Sequence, residues 1–450
     1  MVTREAGYFA FPGTPAEMNA GLAFFMDALG LPQGEGPSVS LGAEAEALSR
    51  GLLREATESI LRPLRPGDRD EHGRLLPTSS MTVPTVDGLA KRFLHFVREA
   101  FESAGTPLVR KWPWKGGAPY AVALSHDVDL PIKWRLRTAL SYAVRRRDFG
   151  GMVARLRRRP DPWWTYDTIL DMERRAGVRS TFFLAAGGRH RLDPTYQIED
   201  RRMRALPQEL RRLGWEVGLH GSYLASEEPG RLREEKRRLE ECVKMEVDVY
   251  RQHYLRFPSA LLAGLREAGF RYDSSLGTSH SAGYLSGVST PHSLEGIWEL
   301  PLSLMDGCID PARHPMFESD QSRQETVSAL LSSALAGSGL VVVDWHQNYF
   351  DEDEFPGFQG LYAQILSQSR EAHRGGVRDL ASWWEVRHSA RFVRQKDGGW
   401  LLTGEDLPAG FTITVSGGTL ETDHRVVIRN LADEVLITFQ EPGPWAFRVG

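Results

Sequence analysis

Four short runs of this 450-residue chain combine acids and bases at spacings that could do chemistry: Ser125-His126-Asp127-Val128-Asp129, Leu219-His220-Gly221-Ser222, Arg251-Gln252-His253-Tyr254 and Asp344-Trp345-His346-Gln347-Asn348. Each closes an apolar, β-rich stretch. A strand turns successive side chains to opposite faces, so Asp127 and Asp129 share one face while His126 and Val128 take the other. Two carboxylates so placed suit a metal site in which one ligates the ion and the other takes a proton from water. A D-x-D at a strand end is also a common solvated turn or helix cap, and a lone histidine such as His220 is more often structural. Two aspartates, three histidines and an arginine on successive strand ends together favour a metal-dependent hydrolytic site over coincidence.

These residues need a scaffold that gathers strand ends. Seven β-rich runs follow Tyr120, namely YAVALS, STFFLAA, WEVGLH, VDVYRQH, FRYDSS, IWELP and LVVVDWH. Amphipathic helix patterns such as TYDTILDMERRAG, RLREEKRRLEECVKM and PSALLAGLREAG lie between several of them. Alternation of this kind predicts an α/β parallel sheet, open or barrel, with its site at the C-terminal ends of the strands. Residues 1–118 read as a helical N-terminal domain, with GDRDEHGRLLPTSS as a polar connection, and 119–390 as the β/α unit. FTITVSG, RVVIRN, EVLITF and WAFRVG make 391–450 a small antiparallel β domain. Its Trp400 and Trp445 could stack on sugar rings, although such residues are more often core.

Composition narrows the classes. A hydrophobic fraction of 41% supports packed cores, and 55 basic against 59 acidic residues leave no global field for nucleic acid. With Cys242 and Cys308 alone, neither a disulfide framework nor a thiolate metal cage is expected. The N-terminus has no basic region leading into an apolar core, so the expected location is cytoplasmic.

The order of these motifs resembles the polysaccharide deacetylase (chitooligosaccharide deacetylase-like) superfamily over residues 118–388, with HDVD, GLHGSY, RQHYLR, YDSSLG, LPLSLMDG and WHQN in sequence. The resemblance implies a distorted seven-stranded (β/α) barrel and a metal-dependent hydrolase that removes N-acetyl groups from a sugar or polysaccharide precursor. It further implies Asp127 as general base, Asp129 and His220 as metal ligands, Arg251 as the arginine that orients the base, with Arg256 as a rival, and His346 as general acid. Asp344 would hold His346 protonated or pair with Arg251, and a backbone N–H near Tyr254 would face the oxyanion.

The chain departs from that pattern at Leu224, where the second motif ordinarily has another histidine. Zinc, the expected divalent ion, would be left short of three protein ligands. His253 is the expected replacement, ahead of Ser222 with its neutral hydroxyl. Leu285 stands where the resembled branch tends to carry arginine, which puts anionic substrate contacts in question. A non-sugar amide as substrate, and a carbohydrate-binding relic without metal, remain open alternatives. Residues 133–159 carry ten basic side chains against the single acid Asp148, interleaved with apolar ones. That segment reads either as a solvated hairpin or as a contact for anionic lipid or for the phosphates of a lipid- or nucleotide-linked sugar.

Overall fold

A computed structural model describes residues 8–9, 11, 18–32, 38–65, 67, 69–77, 83–133, 140, 143–144, 147, 149–150, 152–153 and 161–450. Most of 133–159, and with it the basic segment, lies outside the described residues. Lys133 is described, and its ammonium pairs with Asp351 at 2.5 Å and Glu354 at 2.7 Å.

The core of the molecule is a parallel ring built from β1 (Ala121–Val128), β2 (Thr181–Leu184), β3 (Glu216–Gly221), β4 (Val249–Gln252), β5 (Tyr272–Asp273), β6 (Ile297–Glu299), β7 (Leu302–Met305) and β8 (Leu340–Asp344). Pairing runs from β1 through β2, β3, β4 and β5 to β6, and β8 joins β1 to β7. β6 and β7 are two halves of one run, 297–305, broken at Leu300–Pro301. Its first half pairs with β5 and its second with β8, which returns the sheet upon itself as a distorted barrel of seven positions. The seven runs expected from the sequence are β1–β6 and β8. Three strands of this sheet were not expected: β7 itself, His292–Leu294, antiparallel to β6, and His373–Gly375, on the free edge of the first half of β1.

Every residue of β1 is buried, as both faces of a barrel strand are covered. Alternate positions divide between two packed clusters. Val122, Leu124, Phe182, Leu184, Leu219, Val341 and Val343 pack with the surrounding helices, whereas Ala121, Ala123, Phe183, Val249, Leu340 and Val342 fill the other face. This second face is closed at the N-terminal end by Trp384 and Leu380 of helix Val377–Ser389. Continued upward with period two, the same face carries Asp127, Arg251 and Asp344 at the C-terminal end.

Helices Asn19–Ala28, Ala43–Leu61 and Thr85–Ser103 form the N-terminal part, and their Phe25, Leu53 and Phe93 belong to the same core as the barrel helices. The N-terminal part is not helical alone. Its Leu108–Lys111 pairs antiparallel with Thr412–Ser416 and completes one of two four-stranded C-terminal sheets. Trp400 and Trp445 are both buried, and Trp445 stacks on Phe439 with ring centroids 4.4 Å apart. They are core residues and offer no sugar platform.

One buried acid knits the outer layer to β1. Glu173, on helix Tyr166–Ala176, accepts from His126 Nε2 (2.9 Å), Ser180 N (3.2 Å) and Oγ (2.9 Å), Trp215 Nε1 (2.5 Å) and the Tyr362 hydroxyl (2.6 Å). Removing the acceptor strands several buried donors, each costing about 1–3 kcal/mol. Glu173→Leu is therefore expected to lose roughly 3–5 kcal/mol of stability, and Glu173→Gln less, as read by denaturant midpoints.

Candidate active site

The C-terminal end of the barrel opens into a cavity of about 450 Å³ lined by Asp127, Asp129, His220, Gln252, His253, Tyr254 and His346, among others. All six residues singled out in the sequence converge here. Two groups of potential ligand atoms are close enough to hold an ion, Asp129–His220–His253 and Asp127–Asp344–His346.

The first group has the chemistry of a metal site. His220 Nδ1 lies 3.1 Å from the Arg251 carbonyl, and His253 Nε2 lies 2.7 Å from the Leu192 carbonyl. A carbonyl only accepts, so each of those nitrogens carries the proton, and the opposite nitrogens, His220 Nε2 and His253 Nδ1, are left as lone-pair donors 2.9 Å apart. Asp129 Oδ1 stands 3.3 Å from the former and 3.5 Å from the latter. That oxygen is buried and has no hydrogen-bond partner among the described residues. An orphaned carboxylate oxygen facing two imidazole lone pairs fits a divalent ion with N/O preference. The backbone supports the arrangement, because Tyr254 and Leu255, just after His253, are held left-handed at φ 63° and 51°. Non-glycine residues adopt that region at a cost, typically where function over-determines the geometry.

Ser222 takes no part, since its hydroxyl and amide both bind Glu235. Arg256 is directed away, to the carbonyls of His72 and Tyr223 and to Glu227. Arg251 is the arginine of the site. It has no solvent exposure and donates to Asp127 Oδ1 (3.0 Å), Ser125 Oγ (2.7 Å), and the carbonyl and hydroxyl of Ser274 (3.0 and 2.9 Å). Asp344 Oδ1 accepts from the Asp127 amide at 2.9 Å and lies 3.4 Å from the guanidinium. The second group of potential ligands thus already contains a cation, which disfavours a metal there.

His346 is held by a residue the sequence reading did not assign. Asp306, at the end of LPLSLMDG, meets His346 Nδ1 with both oxygens at 3.0 Å, while Asp344 stands 3.8 Å away. Of the two roles open for Asp344, the geometry favours the partner of Arg251. The signal for Asp306 was its place directly after a strand, in an Asp-Gly turn.

Electrostatics follow from burial and these partners. Burial pushes Asp127 up, but Arg251, His220 and His346 outweigh it and hold the carboxyl below its ordinary range. Asp129 is likewise resisted by burial yet held well below that range by His253, His220 and His346. His346 stays charged well above the usual imidazole range, because Asp306, Asp344 and Asp129 overcome its burial. Burial and the charge of Asp127 push Asp344 up to about 7. Two acids around one guanidinium do not both ionise cheaply.

No family model and no curated protein matches the chain. Among solved structures, a Mycobacterium smegmatis protein named as a polysaccharide deacetylase is 19% identical, covering 61% of this chain and 93% of that one at a TM-score of 0.43. An allantoinase is 13% identical over 61% and 93%, with a TM-score of 0.42. A CE4 family pseudoenzyme from Bacillus anthracis is 12% identical over 60% and 66%, with a TM-score of 0.32.

Zinc binding at this cluster would depend on all three donors. Asp129→Ala, His220→Ala and His253→Ala should each abolish stoichiometric zinc in metal analysis of folded protein, whereas Ser222→Ala should leave metal content unchanged. Retention of full zinc by His253→Ala would place the third ligand elsewhere.

Proposed function

We propose that this chain is a metal-dependent hydrolase that removes the N-acetyl group of a sugar substrate, with zinc held by Asp129, His220 and His253, acting in the cytoplasm. The single observation that carries the reading is an Asp/His₂ cluster, its histidines buried and its aspartate half-buried, flanked by one acid held ionised and one imidazole held charged. That pairing supplies a base and an acid on the two sides of a scissile C–N bond.

When bound, the ion polarises an acyl oxygen and makes a neighbouring water more acidic. Asp127, kept ionised by Arg251, takes a proton from the attacking water as its oxygen adds to the acyl carbon. His346 gives its proton to the nitrogen, the C–N bond breaks, and the products are a free amine and a carboxylate. Asp306 fixes the ring of His346 and favours its charged form, so that Nε2 faces Asp129 Oδ2 at 3.6 Å across the cavity. The turn at Tyr254 is our candidate for a backbone donor to the acyl oxygen.

The alternative of a carbohydrate-binding relic rests on the leucine at 224. With His253 beside Asp129 and His220, a third donor is at hand, and the hydrolase reading is favoured. Hydrolysis of a non-sugar amide shares every chemical step above, and a substrate panel separates the two.

Release of acetate from N-acetylated oligosaccharides by the zinc-loaded protein is the direct test. Asp127→Asn should abolish turnover while zinc stays bound, and loss of zinc would remove Asp127 from the role of base. His346→Ala should keep zinc and slow turnover by about 10²–10⁴. Metal-free protein that binds glycan without turnover would support the relic instead.

The pH profile carries a separate expectation. Asp306 raises His346, so the proton-donating form persists above the usual imidazole range and is lost only at higher pH. Asp306→Asn removes that support, and the basic limb of kcat/KM should move to lower pH with zinc content unchanged. An unmoved limb would detach His346 from it.

A further inference from the structure

The mouth of the cavity is built for negative charge. Two arginines line it, Arg74 from the N-terminal connection and Arg313 from the loop after β7, with Ser279 also in the wall. Arg74 Nη1 donates to Ser279 Oγ at 3.1 Å, and its Nε binds Asp70 Oδ2 at 2.6 Å. Its remaining terminal nitrogen, Nη2, has no hydrogen bond among the described residues. Arg313 is less committed. Among the described residues, Asp310 is its one ion-pair partner within 4.0 Å, and Asp310 also accepts from the Tyr349 hydroxyl at 2.7 Å.

Arg313 reaches over Gly307, its Nη1 2.8 Å from where a Cβ would stand, and the side chain is more than half exposed. Arg74 is fixed by its loop. The segment forms a bridge between Arg74 and Arg256, Asp70 Oδ1 accepts from the amides of His72 and Arg74, and Arg69 reaches the Phe257 carbonyl. Two histidines belong to the same rim. His314 Nε2 lies 3.3 Å from the Ser279 carbonyl, and the charges of Arg74 and His314, after burial, hold His280 below its ordinary range. Leu285, by contrast, is buried in the core and does not line the cavity.

Within the cavity the acids are accounted for. Asp127 is matched by Arg251 and Asp129 faces the metal position. Asp193 is tied to the amides of His190 and Tyr223. Arg74 is paired with Asp70 through Nε and turns a terminal nitrogen toward Ser279 at the rim, and Arg313, 4.0 Å from Asp310, is the rim charge with the loosest counterpart. We infer that the substrate carries an anionic group, a carboxylate or a phosphate on or next to the acylamino sugar, which Arg74 and Arg313 grip at the cavity mouth. Arginine suits both, since its planar fork meets either anion with paired hydrogen bonds.

The inference rests on the hydrolase reading for the acylamino part and stands on the rim for the charge. Binding of N-acetylglucosamine, N-acetylglucosamine 6-phosphate and N-acetylglucosaminuronic acid to the zinc-loaded full chain, measured by titration calorimetry at low and moderate salt, separates the two. At least one anionic sugar should bind on the order of tenfold tighter than the neutral one, a difference of about 1.4 kcal/mol that shrinks with salt. The tighter of the two identifies the anion. Arg313→Gln and Arg74→Gln should each erase most of the preference while leaving zinc content intact. Equal binding of all three, binding of none, or a preference unchanged in both variants would overturn the inference. A preference that follows the arginines without any acetate release would sustain it and overturn the hydrolase reading alone.

Discussion

A guanidinium without access to water holds this structure's chemistry in place. Burying Arg251 costs several kcal/mol unless its protons and its charge are both met. Ser125 and Asp127 of β1, Ser274 just past β5 and Asp344 of β8 meet them, while the Phe183 ring of β2 lies 4.4 Å beneath. Four separate strand ends are thereby fixed against one planar group, and the register of the barrel at its open end follows. Gly218 belongs to the same constraint, because a Cβ there would fall 2.6 Å from the Phe183 ring. From this fixed point the base acquires its charge, and the metal position falls two residues further along the inner face of β1.

Period-two alternation is what made the site legible in sequence. Once β1, β4 and β8 are recognised as strands, Asp127 and Asp129, Arg251 and His253, Asp344 and His346 each fall two apart and on one face. His253 lies just past the end of β4, at the start of a 3-10 turn, and the leucine at 224 was what made it the expected third ligand. What escaped was set by loops. Asp306 reaches His346 because 297–305 changes partner at Leu300–Pro301, a break that alternation does not encode. Arg74 arrives from a polar connection nearly fifty residues before the barrel begins, and no local pattern assigns it to a pocket. The strand Leu108–Lys111 is too short to announce itself, and it pairs some three hundred residues away.

The outer face of β1 has its own economy. His126, between two site positions, turns outward to Glu173 and to the Trp345 carbonyl at 2.5 Å. A histidine inside the first motif is thus a structural member, and its hydrogen bonds lock the strand whose opposite edge does the chemistry. Trp345 does the same for β8, packed against Phe358 and Tyr362. The alternation that gathers ligands on one side gathers anchors on the other.

The connection at 69–75 is one of several contacts between the N-terminal part and the barrel, beside apolar packing and the buried pairs of Asp27 with Arg387 and of Asp87 with Ser289. Because it supplies one wall of the cavity, a molecule held between that wall and the barrel touches both parts at once. Its binding energy then counts toward their docked state and nothing else, so occupancy and docking are thermodynamically linked. Any looseness of the N-terminal helices against the barrel lowers apparent affinity in proportion to the undocked fraction. Conversely, a filled cavity tightens a contact between helices and barrel that the empty protein holds by packing and by the polar contacts of Asp27 and Asp87.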